Sequence, residues 1–311
     1  AIYMSALGRS FRTKREKETI NIGKDFAKIE VNYYKNNREQ RVRIELDENK
    51  KIYINDIKVK KISEFLGNIV VVIFSPDDID ILKGNPEKRR KFLDIMIGQL
   101  KPKYIYNLSQ YIKVLQQRNN YLKQIKYDYK SNELIDVWDK QLNDLSKEIY
   151  YYRNLFIFKI NDKINDIHQK ITNGNEKIEL KYITNFDERY VVNLKKYLTH
   201  DLQRGFTSYG IHRDDFKLYI NGKPINIYGS QGQFRSSILS LKLTELKIIE
   251  EEIEESPILL LDDFMSELDN NRKNNFLENI DGVQVLITCT DKIDKNNARL
   301  FYVENGKINT I

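Results

Sequence analysis

A long block of helical periodicity lies between two strand-forming regions and limits the folds open to this chain. From Pro86 to about Leu198 apolar residues recur at spacings of three and four, and no proline interrupts Leu134 to Ile171. Residues 26–62 instead alternate polar and apolar positions in short runs, which predicts an antiparallel meander. The 311 residues therefore indicate one large domain with a helical insertion, or two domains.

Strand patterns stand on both sides of this block. Ile69 to Phe74 is a continuous apolar run, typical of a strand buried on both faces, and Ser75 to Asp78 has the residues of a helix start. After the block, Phe216 to Ile220 and Ile225 to Tyr228 flank Asn221-Gly222, which predicts a hairpin with a type I′ turn. The sequence thus predicts an α/β protein.

Composition excludes several classes of protein. The single cysteine, Cys289, excludes a disulfide framework and favours a reducing cytoplasm, and no apolar run is long enough to span a membrane. The formal charge is +7, of which residues 84–200 carry 22 Lys+Arg against 14 Asp+Glu, so that segment is the most basic. A polyanionic partner is compatible with this distribution, although a solvated basic helix face explains it equally well.

Two carboxylates follow an apolar strand near the C-terminal end. Pro257 to Asp269 reads PILLLDDFMSELD, in which a buried strand delivers Asp262 and Asp263 at its carboxyl end. This is the form of a Walker B strand followed by a D-loop: Asp262 would hold Mg²⁺ and Asp263 would orient or deprotonate an attacking water. Taken alone, the same letters also fit a strand that ends in a solvated acidic turn.

A second motif precedes that strand by some two dozen residues. Gly229-Ser230-Gln231-Gly232-Gln233 opens an amphipathic helix and resembles the signature of ABC-type ATPases, where a serine hydroxyl and backbone amides bind a γ-phosphate. An ordinary helix cap is the alternative for an isolated motif. The order of signature, helix, Walker B and D-loop favours the ATPase, and this resemblance implies a nucleotide site completed only in a homodimer, with Ser266 to Asp269 at the seam. Thr288 to Thr290 stand where transporters usually have a switch histidine.

Four segments resemble the RecF family and occur in its order. They are Ala1 to Thr13 (AIYMSALGRSFRT), Val70 to Asp94 (VVVIFSPDDIDILKGNPEKRRKFLD), Ser208 to Phe216 (SYGIHRDDF) and PILLLDDFMSELD. Ile211 replaces the usual proline and Phe11 the frequent histidine. No G-x-x-x-x-G-K-[ST] motif occurs, and we expect that the chain begins inside the helix that follows that loop.

The resemblance implies a fold and a domain division. The fold is α/β, an ABC/SMC-type P-loop ATPase head with a mixed sheet and an antiparallel subdomain, from which a helical arm projects. The head is expected to comprise residues 1–83 and 201–311, and the arm residues 84–200. Nucleotide contacts are expected at Ser230, Gln231, Gly232, Gln233 and Asp269, with the metal at Asp262 and the catalytic carboxylate at Asp263.

The family also implies an activity and partners. The expected protein is cytoplasmic, binds ATP and Mg²⁺, dimerises with ATP on gapped or single-stranded DNA, hydrolyses ATP slowly, and helps RecO and RecR to load RecA. Arg89, Arg90 and Lys91 are candidate DNA contacts. Alternatives are an SMC-like structural DNA-binding protein without significant turnover, an ABC transporter nucleotide-binding subunit, and an OLD-type nuclease.

Overall fold

The helices and strands are taken from a computed structural model that describes residues 1–13, 15–125, 133–174, 176–253, 255–263, 280, 282–290, 298–304 and 306–310. The helices are α1 Ile2–Leu7, α2 Ile62–Phe65, α3 Ile79–Lys83, α4 Pro86–Leu100, α5 Pro102–Ile125, α6 Glu133–Thr172, α7 Tyr190–Arg204, α8 Ile225–Tyr228 and α9 Gln231–Ile253. The strands are β1 Ala27–Lys35, β2 Arg38–Leu46, β3 Lys51–Ile54, β4 Ile57–Lys58, β5 Val71–Phe74, β6 Ile178–Ile183, β7 Asp215–Ile220, β8 Lys223–Pro224, β9 Ile258–Asp262, β10 Val285–Thr288, β11 Phe301–Glu304 and β12 Lys307–Thr310.

The strands form one parallel sheet and three antiparallel ones. Strand β9 lies between β10 and β5 and pairs with both in parallel, as its apolar sequence predicts for a strand covered on both faces. The meander β1 to β4 is antiparallel, as are β6-β7-β8 and the pair β11-β12. The α/β fold with an antiparallel subdomain, predicted from the sequence, is therefore confirmed.

Two hairpin turns have a left-handed backbone, and the second of them, Asn221-Gly222, was predicted from the sequence. Asn36 and Asn37 between β1 and β2 have φ of 51° and 58°, and Asn221 and Gly222 between β7 and β8 have φ of 49° and 77°. Both pairs are left-handed, as a type I′ hairpin turn requires. The predicted helix start after β5 is also present, because Ser75 and Asp78 form a reciprocal capping box around Pro76.

Two local predictions were wrong. The helical periodicity predicted to reach Leu198 is interrupted by β6, which pairs with β7 from Ile178 opposite Ile220 to Ile183 opposite Asp215. Helix α6 ends at Thr172, because the next two residues, Asn173 and Gly174, both adopt positive φ. Ile225 to Tyr228 was predicted as a strand but forms α8, and the hairpin strand is instead Lys223–Pro224. The domain boundaries at residues 84 and 200 stay a prediction.

Strand β5 has a different apolar cluster on each of its faces. Val72 and Phe74 belong to a cluster that includes buried residues of α4, α5, α6 and α9, whereas Val71 packs with α1 and β2. Alternate residues of a strand point to opposite faces, so this one strand joins the meander to the helices.

Two buried arginines hold the arm helices against the segment 207–216. Arg118 of α5 donates to Asp139 at 2.7 Å, Asp201 at 3.0 Å and Thr207 at 2.8 Å. Arg153 of α6 donates to Asp214 Oδ2 at 3.0 Å. Burial raises the pKa of Asp214, and the neighbouring Arg153 opposes that shift. Buried charges of this kind persist because each has a charged or hydrogen-bonding partner.

Gly210 allows this segment to pass between two tyrosines. Its φ is 138°, and a Cβ there would lie 2.5 Å from Tyr190 Oη and 2.8 Å from Tyr111 Oη. Gly210→Ala should therefore lower the free energy of unfolding by about 2–4 kcal/mol, through backbone strain and overpacking. The matched control is Gly222→Ala, where φ is also positive at 77° but nothing lies within 4 Å of the added carbon; its cost should be about 1 kcal/mol. Urea unfolding that gives equal losses for both variants would contradict the steric explanation.

Candidate nucleotide-binding site

The first half of the candidate site lies at the carboxyl ends of β9 and β10. Asp262 pairs in register with Thr288, whose hydroxyl donates to Asp262 Oδ1 at 2.8 Å. The backbone N–H of Asp263 donates to the carbonyl oxygen of Thr288 at 3.1 Å, and Asp263 has a φ of 52°. The chain therefore turns sharply after Asp262 and places both aspartates at the sheet edge, as the sequence predicted.

Asp262 has the chemistry of a magnesium ligand. Among the described residues no group of three or more histidine, cysteine or acidic side chains gathers around a metal position. One carboxylate oxygen with water and phosphate oxygens is nevertheless a usual shell for Mg²⁺, which binds few protein groups directly. The site therefore fits a metal that arrives with its nucleotide.

Arg12 approaches the same carboxylate. Its Nη2 lies 3.5 Å from Asp262 Oδ2, and the Arg12 side chain is 74% exposed. Arg12 lies in the family segment Ala1 to Thr13, but its role could not be predicted, since it is 250 residues away from Asp262 in the sequence. The guanidinium adds a positive charge at the edge where phosphate oxygens would lie.

The second half of the candidate site is the signature turn, residues 229–233. Ser230 precedes α9 and forms a reciprocal capping box with Gln233: the Ser230 N–H donates to Gln233 Oε1 at 2.9 Å, and the Gln233 N–H donates to Ser230 Oγ at 3.2 Å. Gly229 passes close to α8, because a Cβ there would lie 2.6 Å from the carbonyl oxygen of Ile225. Gln231 and Gly232 form the first turn of a 23-residue helix, whose positive end favours an anion.

The two halves lie on consecutive elements: the signature turn precedes α9, and Asp262 ends the strand β9 that follows it. Helix α9 returns along the sheet, and its Lys242 lies over the Phe74 ring at 5.8 Å, next to the end of β5. Phe74 is paired with Leu261, the neighbour of Asp262. Ser230 precedes Lys242 by twelve residues, so it lies about 18 Å from Lys242 along the helix axis.

The predicted DNA contacts differ in their surroundings. Arg89 donates to both carboxylate oxygens of Asp215 and to the carbonyl oxygen of Gly84 at 2.7 Å, and its side chain is only 12% exposed. Arg90 donates to the carbonyl oxygen of Asp214 at 2.7 Å, and burial lowers its pKa. Lys91 is exposed. A DNA contact stays a prediction for all three, but the two arginines already bind within the protein.

Asp269 and the rest of the predicted D-loop, Ser266 to Asp269, lie outside the described residues. Glu176, which was not predicted as a site residue, accepts a hydrogen bond from Gln233 Nε2 at 2.8 Å. No motif surrounds Glu176, so only the fold reveals its position.

No helix in the described part of the chain combines the length and apolar character needed to cross a bilayer.

The parallel sheet, the antiparallel strands and the inserted helices give this chain the fold of an SMC head. A solved SMC head, bound to the C-winged helix domain of ScpA, shares this fold with a TM-score of 0.53 and 13% identity, covering 96% of this chain and 79% of the other. No family model matches the sequence.

The chain belongs to the family of the DNA replication and repair protein RecF. It is 41% identical to RecF of Clostridium botulinum over 325 residues, covering 100% of this chain and 89% of the relative. The RecF of Acetivibrio thermocellus is 43% identical over 307 residues, covering 94% and 83% respectively. A solved structure described as the recombination mediator protein RecF-ATPrS in the RecFOR pathway has a TM-score of 0.92 and 36% identity, covering 100% of this chain and 87% of that chain.

Substitutions of Arg89 and Lys91 test whether the ion pair between Arg89 and Asp215 stabilises the fold. Arg89→Gln removes the paired bonds to Asp215 and should lower the free energy of unfolding by about 1.5–3 kcal/mol. Lys91→Gln, on the same helix but exposed, should change it by less than about 0.5 kcal/mol. Chemical denaturation of both variants measures the difference. An Arg89→Gln protein as stable as the wild type would show that the ion pair contributes nothing.

Proposed function

We propose that this chain is an ATP-dependent, DNA-binding recombination mediator that dimerises around ATP. One observation carries the proposal: the capped turn at Ser230 opens the helix that leads into β9, and Asp262 ends that strand. ABC-type ATPases use these two motifs from opposite copies of a dimer. Two copies facing each other would bring Ser230 of one to the phosphates held near Asp262 of the other.

Each motif has a distinct role in the proposed reaction. Asp262 would hold magnesium, which neutralises phosphate charge when bound. Asp263 orients the attacking water and accepts its proton. From the facing copy, Ser230 and the amides of Gln231 and Gly232 bind the γ-phosphate, with Gln233 and Asp269 expected beside them. Hydrolysis removes the γ-phosphate that joins the two copies. Bound ATP would therefore favour the closed dimer, and hydrolysis of ATP would favour its opening.

The DNA part of the proposal is supported by charge and by the family. Residues 84–200 carry 22 Lys+Arg against 14 Asp+Glu, and phosphate contacts from such a surface carry no sequence information. The solved relative is described as a recombination mediator of the RecFOR pathway. RecO and RecR are therefore proposed partners at single-stranded or gapped DNA in the cytoplasm, with RecA loaded downstream. Family membership favours this function over a transporter subunit or an OLD-type nuclease, and DNA-stimulated ATP turnover separates it from a purely structural SMC-like protein.

Ser230 allows the phosphate contact to be separated from helix capping. Asparagine and aspartate both cap helices as well as serine. In the full-length protein, Ser230→Asn and Ser230→Asp should therefore be equally stable, but the carboxylate of Ser230→Asp should repel the γ-phosphate and abolish ATP-dependent dimerisation. Sedimentation velocity with and without ATP measures the dimer. If Ser230→Asp dimerises with ATP as the wild type does, the proposed site is wrong.

Salt dependence provides a test of the DNA contact. The affinity of the full-length protein for gapped DNA should rise with ATP and fall steeply with salt, because lysine and arginine contacts release counterions from phosphates. Fluorescence anisotropy between 50 and 200 mM salt should show a loss of at least tenfold, about the minimum for a few phosphate contacts. An affinity insensitive to both salt and ATP would exclude the ATP-gated dimer on DNA.

A further inference from the structure

A hydrogen-bonded chain of side chains runs from the signature turn to the end of helix α6. Gln233 closes the capping box with Oε1 and donates through Nε2 to Glu176 Oε1 at 2.8 Å. The other carboxylate oxygen of Glu176 lies 3.2 Å from His168 Nε2, and His168 Nδ1 lies 2.8 Å from Ser240 Oγ on α9. We call these four residues, Gln233, Glu176, His168 and Ser240, the Glu176 chain.

The chemistry of the acceptors fixes the protons in the Glu176 chain. His168 is fully buried, and this burial lowers its pKa, so its imidazole is neutral near pH 7. An ionised carboxylate only accepts hydrogen bonds, so His168 Nε2 carries the proton and donates to Glu176. Nδ1 then faces the Ser240 hydroxyl, whose single proton lies within reach of both Nδ1 and the carbonyl oxygen of Ser236, each at 2.8 Å. The His168 ring therefore contacts Ser240 through one nitrogen and Glu176 through the other, and the second contact fixes the position of the Glu176 carboxylate.

The segment that carries Glu176 is also fixed at both ends. Before it, the Gly174 N–H donates to the carbonyl oxygen of Gln169 at 2.8 Å and closes the end of α6. After it, the Lys177 N–H donates to Asn221 Oδ1 at 2.9 Å, and the Asn221 N–H donates to the carbonyl oxygen of Lys177 at 2.9 Å. Glu176 therefore follows the position of α6 and of the β7–β8 turn.

The side-chain amide of Gln233 can adopt two orientations that exchange its oxygen and its NH₂ group, and only one of them fits the capping box. Its oxygen accepts the Ser230 N–H, whereas its NH₂ group would place a donor against a donor. Glu176 attracts the NH₂ group and so selects the orientation in which the oxygen faces Ser230. Without that carboxylate both orientations of the amide become accessible, and in one of them the signature turn loses its reciprocal bond.

We propose that Glu176 is a positioning residue for the signature turn, through which the end of α6 controls the fit of the turn to the γ-phosphate of the facing copy. This inference rests on the proposed function and extends it to regulation from the arm side. A displacement of α6 would move the Glu176 carboxylate away from Gln233 and release the amide. A nucleic acid bound along the helices would thereby alter the affinity of the two copies for each other.

The test compares Glu176→Ala with Glu176→Gln and Glu179→Ala in the full-length protein. Glu176→Ala should weaken ATP-dependent dimerisation about tenfold, the usual effect of losing one hydrogen bond to a charged group. At fixed protein concentration kcat for ATP hydrolysis should fall to a similar degree, with KM and thermal stability close to wild type. Glu176→Gln should restore dimerisation, because its carbonyl accepts from Gln233 while its NH₂ donates to the other tautomer of His168. Glu179, exposed on β6 and paired with Lys181 at 3.1 Å, should tolerate alanine.

Hydrogen exchange at the start of α9 provides a readout that needs no dimer. In Glu176→Ala the amides of Ser230, Gln233 and Phe234, which are bonded within this cap, should exchange about tenfold faster without nucleotide, since the capping box is released. Unchanged exchange, or wild-type dimerisation by Glu176→Ala, would overturn the positioning role, as would a Glu176→Gln protein as defective as the alanine variant. If the wild-type protein itself fails to dimerise with ATP, the proposed function is wrong, while exchange still decides the role of Glu176.

Discussion

The buried ion pair between Arg153 and Asp214 is the interaction on which the arrangement of this protein depends. Arg153 also donates to the carbonyl oxygen of Ile211 at 2.8 Å and to Tyr104 Oη at 3.0 Å, and Asp214 accepts from Tyr182 at 2.6 Å. Helices α5 and α6 and strand β6 thus meet at one charged centre. Removing either charge would leave the other buried without a partner, which is far more costly than never having buried the pair.

That centre explains why the segment SYGIHRDDF is recognisable in the sequence. Three of its side chains make contacts within the protein. Asp214 forms an ion pair with Arg153, Asp215 forms one with Arg89, and His212 hydrogen-bonds with Tyr111 Oη at 2.7 Å. Burial lowers the pKa of His212 to about 4, so it stays neutral at physiological pH. A motif rich in charged residues suggests a binding surface when only its letters are known. In this fold it joins the arm helices to β7, and the neighbouring arginines of α4 serve the same junction.

How much of the fold could be predicted depended on whether the signal was local. The strand β9 and its acidic end, the type I′ turns and the cap at Ser230 were predictable because each is encoded within a few neighbouring residues. Strand β6 was missed because Ile178 lies seven residues after Ile171 and so continues the helical spacing of α6. The alternation of Ile178, Leu180 and Tyr182 with polar residues is short, and pairing with β7 establishes the strand. Arg12 and Glu176 could not be predicted, since their contacts are with residues far away in the sequence.

The long separation of β5 from β9 has a consequence for how the protein is made. Val71 pairs with Ile258, so the whole arm leaves the ribosome before the parallel sheet acquires its central strand. During that interval the apolar β5 has no partner on that edge, and contacts between such distant segments form slowly. The helices of the arm, with their mostly local contacts, are able to fold first and cover one face of β5 while synthesis continues.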